Sequence, residues 1–287
     1  MRKLWSMVLA LALLASPALA ASPVREAEVW ESLPAPAALP APDLEGRVAH
    51  DGARIWFAAY GTGAPVILLH GGTASSDLWG EQVPALVASH HRVLVIDSRG
   101  HGRSTRDARP LAYEQMEGDV IAVMDALSLD QAAVVGWSDG GIIGLIMAMK
   151  HPDRVSRVFA FGANMDLKAF NISGAFSQIL AKVEARLAAD YARLSETPKD
   201  YDAFSKSVFA MQSSQPNYTP ADLAAIHGPR IAIVDGDHEE FISRAHTAYL
   251  ARTIPGAELV ILPGVSHFAP VQDPAGFNAA MLAFLDR

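Results

Sequence analysis

Apolar residues in this chain fall into short unbroken runs, with helical periodicity between them. The runs are Val66–His70 (VILLH), Arg92–Asp97 (RVLVID), Ala132–Gly136 (AAVVG), Arg157–Gly162 (RVFAFG), Arg230–Gly236 (RIAIVDG) and Glu258–Gly264 (ELVILPG). None alternates polar with apolar positions, so each suits a strand covered on both faces, as in a parallel sheet. Two more strands, Arg47–His50 and Ala53–Tyr60, are joined by the turn pair Asp51-Gly52. Helices are predicted over Trp79–Ser89, Tyr113–Leu127, Gly140–Lys150, His246–Thr253 and Pro274–Leu285, with Pro152 and Pro255 just past two of their ends. The pattern predicts an α/β domain over residues 44–287, with a mostly parallel sheet of about eight strands and helices on both faces.

One connection is longer than a crossover needs: 67 residues separate Gly162 from Arg230. Within it Phe176, Ile179, Leu180, Val183, Leu187, Tyr191 and Leu194 recur at helical spacing, and a second helix is predicted over Asp200–Met211. Residues 163–229 are therefore expected to form a helical cap over the carboxyl edge of the sheet, where such sheets bind ligands. Extra helices on the back of the sheet are the alternative. Phe170, Phe176, Phe204, Phe209 and Met211 are then either core residues or pocket lining.

The amino terminus follows a different pattern. Arg2 and Lys3 precede an apolar stretch from Leu4 to Leu14, Pro17 breaks it, and Ala18-Leu19-Ala20 matches a cleavage site. This is the layout of a secretory signal peptide over residues 1–20, and it predicts an exported protein. The apolar stretch is short for a membrane anchor, and no stable membrane insertion is expected after cleavage. Residues 21–43 are rich in Ala and Pro and are expected to be a polyproline-like linker or tether, with a recognition peptide for a proline-binding domain as the rival.

Composition narrows the function. A net charge of −8 with few basic runs disfavours a nucleic-acid partner. The chain has no cysteine, so it forms no disulfide, and 287 residues with 51% apolar content bury enough core to do without. No histidine pair has a metal-ligand spacing such as H-E-x-x-H, so no metal site is expected.

The densest chemistry lies in "AVVGWSDGGIIG", Ala133 to Gly144. Three fixed residues of a G-x-S-x-G pattern are weak evidence alone. Here the pattern joins an apolar strand to an apolar helix, which is the setting of a nucleophile elbow. Gly136 and Gly140 leave room for the strand and helix to approach, and Ser138 stands exposed between them. A serine hydroxyl needs a base. His267, five residues past the strand run ELVIL, is the candidate; most of the other nine histidines sit at surfaces, helix ends or in glycine-rich loops. The imidazole in turn needs a carboxylate, and the loop after RIAIVDG offers Asp237, Glu239 and Glu240.

"LLHGG", "DSRGHGRS", "VVGWSDGG", the acid loop and "GVSHF" occur in the order of an α/β-hydrolase of the serine-hydrolase type, and the resemblance covers nearly all of residues 44–287. The elbow is similar to that of the valacyclovir hydrolase group, the biphenyl hydrolase-like esterases. The resemblance implies the α/β-hydrolase fold and a cofactor-free hydrolase of a small ester, lactone or amide. Ser138 would be its nucleophile and His267 its base. The family's G-x-x-D spacing from Gly236 lands on Glu239, a departure from the commoner aspartate; Asp237, Glu240 and Asp166 (the acid follows the preceding strand in some relatives) are the alternatives.

The oxyanion hole is expected from the backbone N–H groups of Asp139 and of Gly72, with Thr73 second to Gly72. Asp139 and Trp137, which flank Ser138, are the candidate substrate contacts. In the valacyclovir hydrolase group the matching aspartate receives the substrate's amino group. The plain alternative is an acid placed where the helix dipole favours it. The loop "DSRGHGRS" matches no phosphate-binding motif and is expected to be structural. Perhydrolysis of the cofactor-free haloperoxidase kind and carbon–carbon bond hydrolysis use the same triad. Serine at the nucleophile position argues against dehalogenase or epoxide hydrolase chemistry, which uses aspartate there. A non-catalytic binding protein of the same fold is the rival from another class.

Overall fold

In the computed structural model, which describes residues 28–171 and 178–287, the unbroken apolar runs form the centre of one eight-stranded sheet. Its strands are β1 (Leu44–His50), β2 (Ala53–Tyr60), β3 (Ala64–Leu69), β4 (His91–Ile96), β5 (Ala132–Trp137), β6 (Val155–Phe161), β7 (Arg230–Gly236) and β8 (Glu258–Leu262). They lie in the order β1-β2-β4-β3-β5-β6-β7-β8. β2 pairs antiparallel with β1 and β4, and every other pairing is parallel. The nine α-helices among the described residues are α1 (Gln82–Ala88), α2 (Tyr113–Ala126), α3 (Asp139–Lys150), α4 (Gln178–Leu194), α5 (Tyr201–Gln212), α6 (Pro220–Ala224), α7 (Arg244–Thr253), α8 (Ala269–Gln272) and α9 (Pro274–Leu285).

Continuous apolar strands are needed because both faces of the sheet are covered. Ile67 and Leu69 of β3 face α2 and α3, burying against Val123, Ile142 and Ile146; Val66 and Leu68 point the other way, into a core with Val83 of α1 and Phe277 and Phe284 of α9. Successive side chains of a strand alternate between faces, so a strand with two covered faces has no polar position to spare. Register then aligns the carboxyl ends. Leu69 pairs with Ile96 and Gly136, Trp137 with Phe161, and Phe161 with Val234. The loops that follow these ends emerge along one edge, and they carry every residue singled out above for catalysis.

The long connection between β6 and β7 holds α4, α5 and α6. Gln212 at the end of α5 reaches Asp139 at the start of α3, and the ring of Phe204 meets His101 edge-on at 4.7 Å. These contacts set α5 over the carboxyl edge of the sheet, as expected for a cap. Phe204 and Met211 are core residues, Phe170 and Phe209 are exposed, and Phe176 lies outside the described residues.

The region expected to be a linker behaves differently. Its described part, residues 28–43, lies on the domain as a strap. Gln272 donates to the carbonyls of Trp30 and Ser32 (3.1 and 2.9 Å), and Arg186 of α4 donates to those of Leu33 and Pro34 (2.7 and 2.6 Å). The Trp30 ring stacks on His238 at 4.4 Å. Beyond a short 3-10 turn at Val29–Glu31 the prolines disfavour a helix or a ladder, but the carbonyls of the segment still accept hydrogen bonds, so side chains of the domain hold it. Residues 1–20, read above as a signal peptide, lie outside the described residues. No described helix is long and apolar enough to cross a membrane.

Candidate active site

Ser138 follows β5 directly and caps α3 with φ 55° and ψ −119°. A non-glycine residue there costs on the order of 1–3 kcal/mol and persists only where its surroundings impose it. Two close approaches do so. A Cβ on Gly136 would stand 2.2 Å from the Gly140 carbonyl oxygen, and one on Gly140 would stand 2.0 Å from that of Leu69. Only glycine fits at either position, which matches the sterics expected from the sequence. The Ser138 side chain makes no capping hydrogen bond to the helix. The first N–H groups of α3 have no partner within the helix and point toward the serine end.

His267 is brought to this corner by the loop after β8. Trp137, next to Ser138, donates its indole N–H to the His267 carbonyl at 2.6 Å. Glu240 accepts from the His267 backbone N–H at 3.1 Å. The imidazole Nδ1 lies 2.8 Å from Glu239 Oε2, and both side chains are buried. Glu239 Oε1 accepts from the N–H groups of Phe241 (2.7 Å) and Ile242 (3.0 Å), so both carboxylate oxygens are held. The competing acids are occupied elsewhere. Asp237 accepts from the Gly264 N–H at 2.7 Å, Asp166 caps a short turn through the Lys168 N–H at 2.7 Å, and Glu240 holds backbone. Of the acids in the loop, Glu239 is the one the fold brings to the ring.

The electrostatics follow from this arrangement. Burial disfavours a charged ring, but the charge and hydrogen bond of Glu239, with the charges of Glu240 and Asp235, outweigh it and lift the His267 pKa to about 9. Burial pushes Glu239 up, and the charge and hydrogen bond of His267 bring it below the usual carboxylate range.

The loop after β3 closes the corner. His70, buried, donates from Nδ1 to the Gly71 carbonyl (2.7 Å) and accepts at Nε2 from the Ser98 N–H (3.0 Å), fixing the loop to the one after β4. Burial lowers its pKa, which suits a ring that must stay neutral to accept. A Cβ on Gly72 would stand 2.7 Å from Asp139 Oδ2 and 2.4 Å from Gln212 Nε2, so this glycine lies against the Asp139 carboxylate. Asp139 is 5% exposed. Tyr113 donates its hydroxyl to Oδ1 at 2.8 Å, and Gln212 donates to Oδ1 and Oδ2 at 3.1 and 3.2 Å. Burial raises its pKa against those two hydrogen bonds, and no ion pair to it forms among the described residues.

Trp137, expected as a substrate contact, spends its one donor on His267. Its ring lines a cavity of about 40 Å³ with Leu33, Leu187 and Phe268. Nothing local in the sequence marks Tyr113 or Gln212, since a tyrosine opening one helix and a glutamine closing another carry no signal of their own. The "DSRGHGRS" loop is occupied with structure: buried Asp97 accepts from the N–H groups of Ser76 and Arg103, both at 2.8 Å. Among the described residues no group of three or more His, Asp and Glu is placed to hold a metal ion.

Comparison with known proteins gives the family. A family model for the α/β hydrolase fold matches residues 64–199. The chain is 32% identical over 246 residues to a putative carbamate hydrolase RutD of Caulobacter sp. (strain K31), spanning 77% of this chain and 90% of the relative. It is 27% identical over 254 residues to the serine hydrolase BPHL of Mus musculus, spanning 83% and 85%. Among solved structures it is similar to Est816, described as an N-acyl homoserine lactone degrading enzyme, with a TM-score of 0.68 and 28% identity over 83% of this chain and 100% of that one.

Proposed function

The chain belongs to the α/β-hydrolase family and is a hydrolase, and from that premise we propose that it is an exported serine hydrolase cleaving a small carboxylic ester, lactone or amide through an acyl-enzyme. The observation that carries the proposal is the hydrogen bond from His267 Nδ1 to Glu239 beside a serine held at positive φ. In this mechanism the Ser138 hydroxyl oxygen attacks the substrate carbonyl carbon and its proton passes to His267 Nε2. Glu239 keeps the Nδ1 proton in place and stabilises the imidazolium. The N–H groups of Gly72 and Asp139 bind the oxyanion. His267 returns the proton to the leaving group, then activates water to cleave the acyl-enzyme. The names of the relatives, which mention carbamates and N-acyl homoserine lactones, support a small acyl substrate.

A fluorophosphonate probe tests the proposal. Stoichiometric capture mapped to the peptide that contains Ser138 is expected. A folded sample that takes up no probe would leave the binding-protein reading in its place.

The raised His267 pKa predicts the pH dependence. A general base accepts a proton only when neutral, so kcat/KM is expected to climb with pH, with its midpoint near pH 9 and its plateau above that. A flat profile between pH 6 and about 9 contradicts this. The same shift bears on stability. The charged pair with Glu239 contributes fully below the ordinary histidine value of 6.5, and that contribution is lost as pH rises through about 9.

Asp139 supplies the substrate preference in this proposal. Its buried carboxylate has hydrogen bonds from Tyr113 and Gln212 but no direct ion pair among the described residues, His267 acting on it only through space, and it lies against Gly72. An ammonium group beside the scissile carbonyl would supply the missing charge. Asp139→Asn is therefore expected to lower kcat/KM for aminoacyl esters about tenfold more than for plain acyl esters of equal length. A ratio unchanged from wild type removes the amine reading and leaves the carboxylate as a helix-terminus charge.

A further inference from the structure

Behind Glu239 lies a second buried carboxyl that the mechanism above does not use. Asp235, the penultimate residue of β7, is 0% exposed. Its Oδ2 accepts from the Thr247 hydroxyl of α7 at 2.5 Å, its Oδ1 from the Gly236 N–H at 3.1 Å, and its side chain shares a hydrogen bond with Glu239. Two carboxyl groups hydrogen-bond to each other only when one of them holds a proton. The donor count says which. Glu239 accepts from two backbone N–H groups and the imidazole, all of which favour its ionised form, whereas Asp235 has one hydroxyl and one N–H.

We propose that Asp235 is a positioning residue that holds a proton against Glu239, so that the carboxyl pair turns one negative charge, not two, toward His267. The proton runs in a chain of donors: Thr247 to Asp235, Asp235 to Glu239, with the imidazole donating to Glu239 from the other side. Burial, then the charge of Glu239 and the shared hydrogen bond, push Asp235 up to about 8, while Thr247 and the nearby His267 pull it down. Glu240 and Asp139 also face the imidazole, and Arg244 of α7 donates to the Gly236 carbonyl at 3.0 Å beside the pair.

The consequence is a coupled titration. When Asp235 loses its proton, the added charge holds the proton on His267 more tightly and delays formation of the neutral base. Removing the ability of Asp235 to ionise therefore moves the rising limb of activity to lower pH. Because asparagine still donates to Glu239, Asp235→Asn keeps the positioning bond and loses only the second charge. Asp235→Ala loses both.

This inference rests on the serine-hydrolase reading, and the probe separates the two. In fluorophosphonate capture the Ser138 oxygen forms the bond to phosphorus, fluoride leaves, and the hydroxyl proton goes to His267, so the capture rate follows the neutral imidazole without any knowledge of the substrate. If the wild type takes up no probe, the serine-hydrolase reading itself falls. Given capture, the rate-against-pH limb of Asp235→Asn is expected about one unit below that of the wild type. The plateau of Asp235→Ala is expected about tenfold or more below that of Asp235→Asn. A limb for Asp235→Asn that superimposes on the wild type overturns the proposal, as does an alanine plateau equal to the asparagine one. Should the asparagine protein not fold, Thr247→Val carries the test with Asp235 intact. Loss of the hydroxyl bond keeps Asp235 protonated to higher pH, so its limb also moves to lower pH, and an unmoved limb overturns the proposal.

Discussion

Ser138→Ala is expected to lower kcat by roughly a million-fold, with the fold intact. The hydroxyl makes no capping bond to α3, so its loss costs the helix nothing, and the Cβ that packs near Gly71 stays. The backbone strain at φ 55° is unchanged, because Gly136, Gly140 and Leu69 impose it and not the hydroxyl. In the proposed mechanism, what disappears is the atom that forms the acyl-enzyme. The Gly72 and Asp139 N–H groups remain, and oxyanion binding alone leaves about 10³–10⁴ over the uncatalysed rate. His267→Ala is expected to cost about as much, and the double variant no more than either single one, since a base without a nucleophile does no work. Steady-state rates on a short-chain ester, with unfolding curves to confirm the fold, check this. Activity retained within about tenfold in Ser138→Ala means that another group is the nucleophile.

Arg99→Leu is the largest expected loss of stability, about 3–5 kcal/mol. The Arg99 guanidinium and the Asp119 carboxylate are 1% and 2% exposed and bonded twice, at 2.9 and 2.6 Å. Arg99 also donates to the carbonyls of Asp51 (2.8 Å) and His50 (3.3 Å) in the β1–β2 turn. Leucine leaves Asp119 buried with His50 as its one remaining side-chain partner, and it removes a donor from both carbonyls, of which that of Asp51 keeps Arg109. Burial already raises the Asp119 pKa against both partners. The denaturation midpoint in urea is expected to fall at constant slope, and Arg99→Leu with Asp119→Leu to recover much of the loss. A loss below about 1 kcal/mol contradicts the assignment of Arg99 as a buried structural cation. The pair lies in and beside a loop whose glycines and arginines suggest a phosphate site at first sight, and whose contacts are structural.

Much of the fold is legible in the residues because its signals are short-range. A strand covered on both faces has no polar position, so β3 to β7 announce themselves, whereas half-exposed β1, paired on one edge, starts three residues earlier than its apolar pattern suggests. The elbow is legible because Gly136, Ser138 and Gly140 collide or fit within five residues of one another. The small α6 and α8 were not expected, since helices of five and four residues are too short to show a period. The Ala/Pro stretch is ambiguous for a related reason. Its composition excludes helix and ladder, but whether it stands off or lies down depends on Arg186 and Gln272, which are far away in the chain.

The sequence by itself determined the layered sheet, the strained serine at its edge and a histidine on a late loop, because period, turn sterics and motif order act over a few residues. The tertiary structure alone decided the pairings. Glu239 and not its neighbours meets His267 across 28 residues, Gln212 meets Asp139 across 73, and Gln272 ties down Ser32 across 240. Four acids lie within six positions of the acid loop, and composition cannot rank them. Backbone donors at Phe241 and Ile242, and the second carboxyl of Asp235, select one as the charge that faces the base, and those partners converge only once β7, α7 and the loop after β8 are packed together.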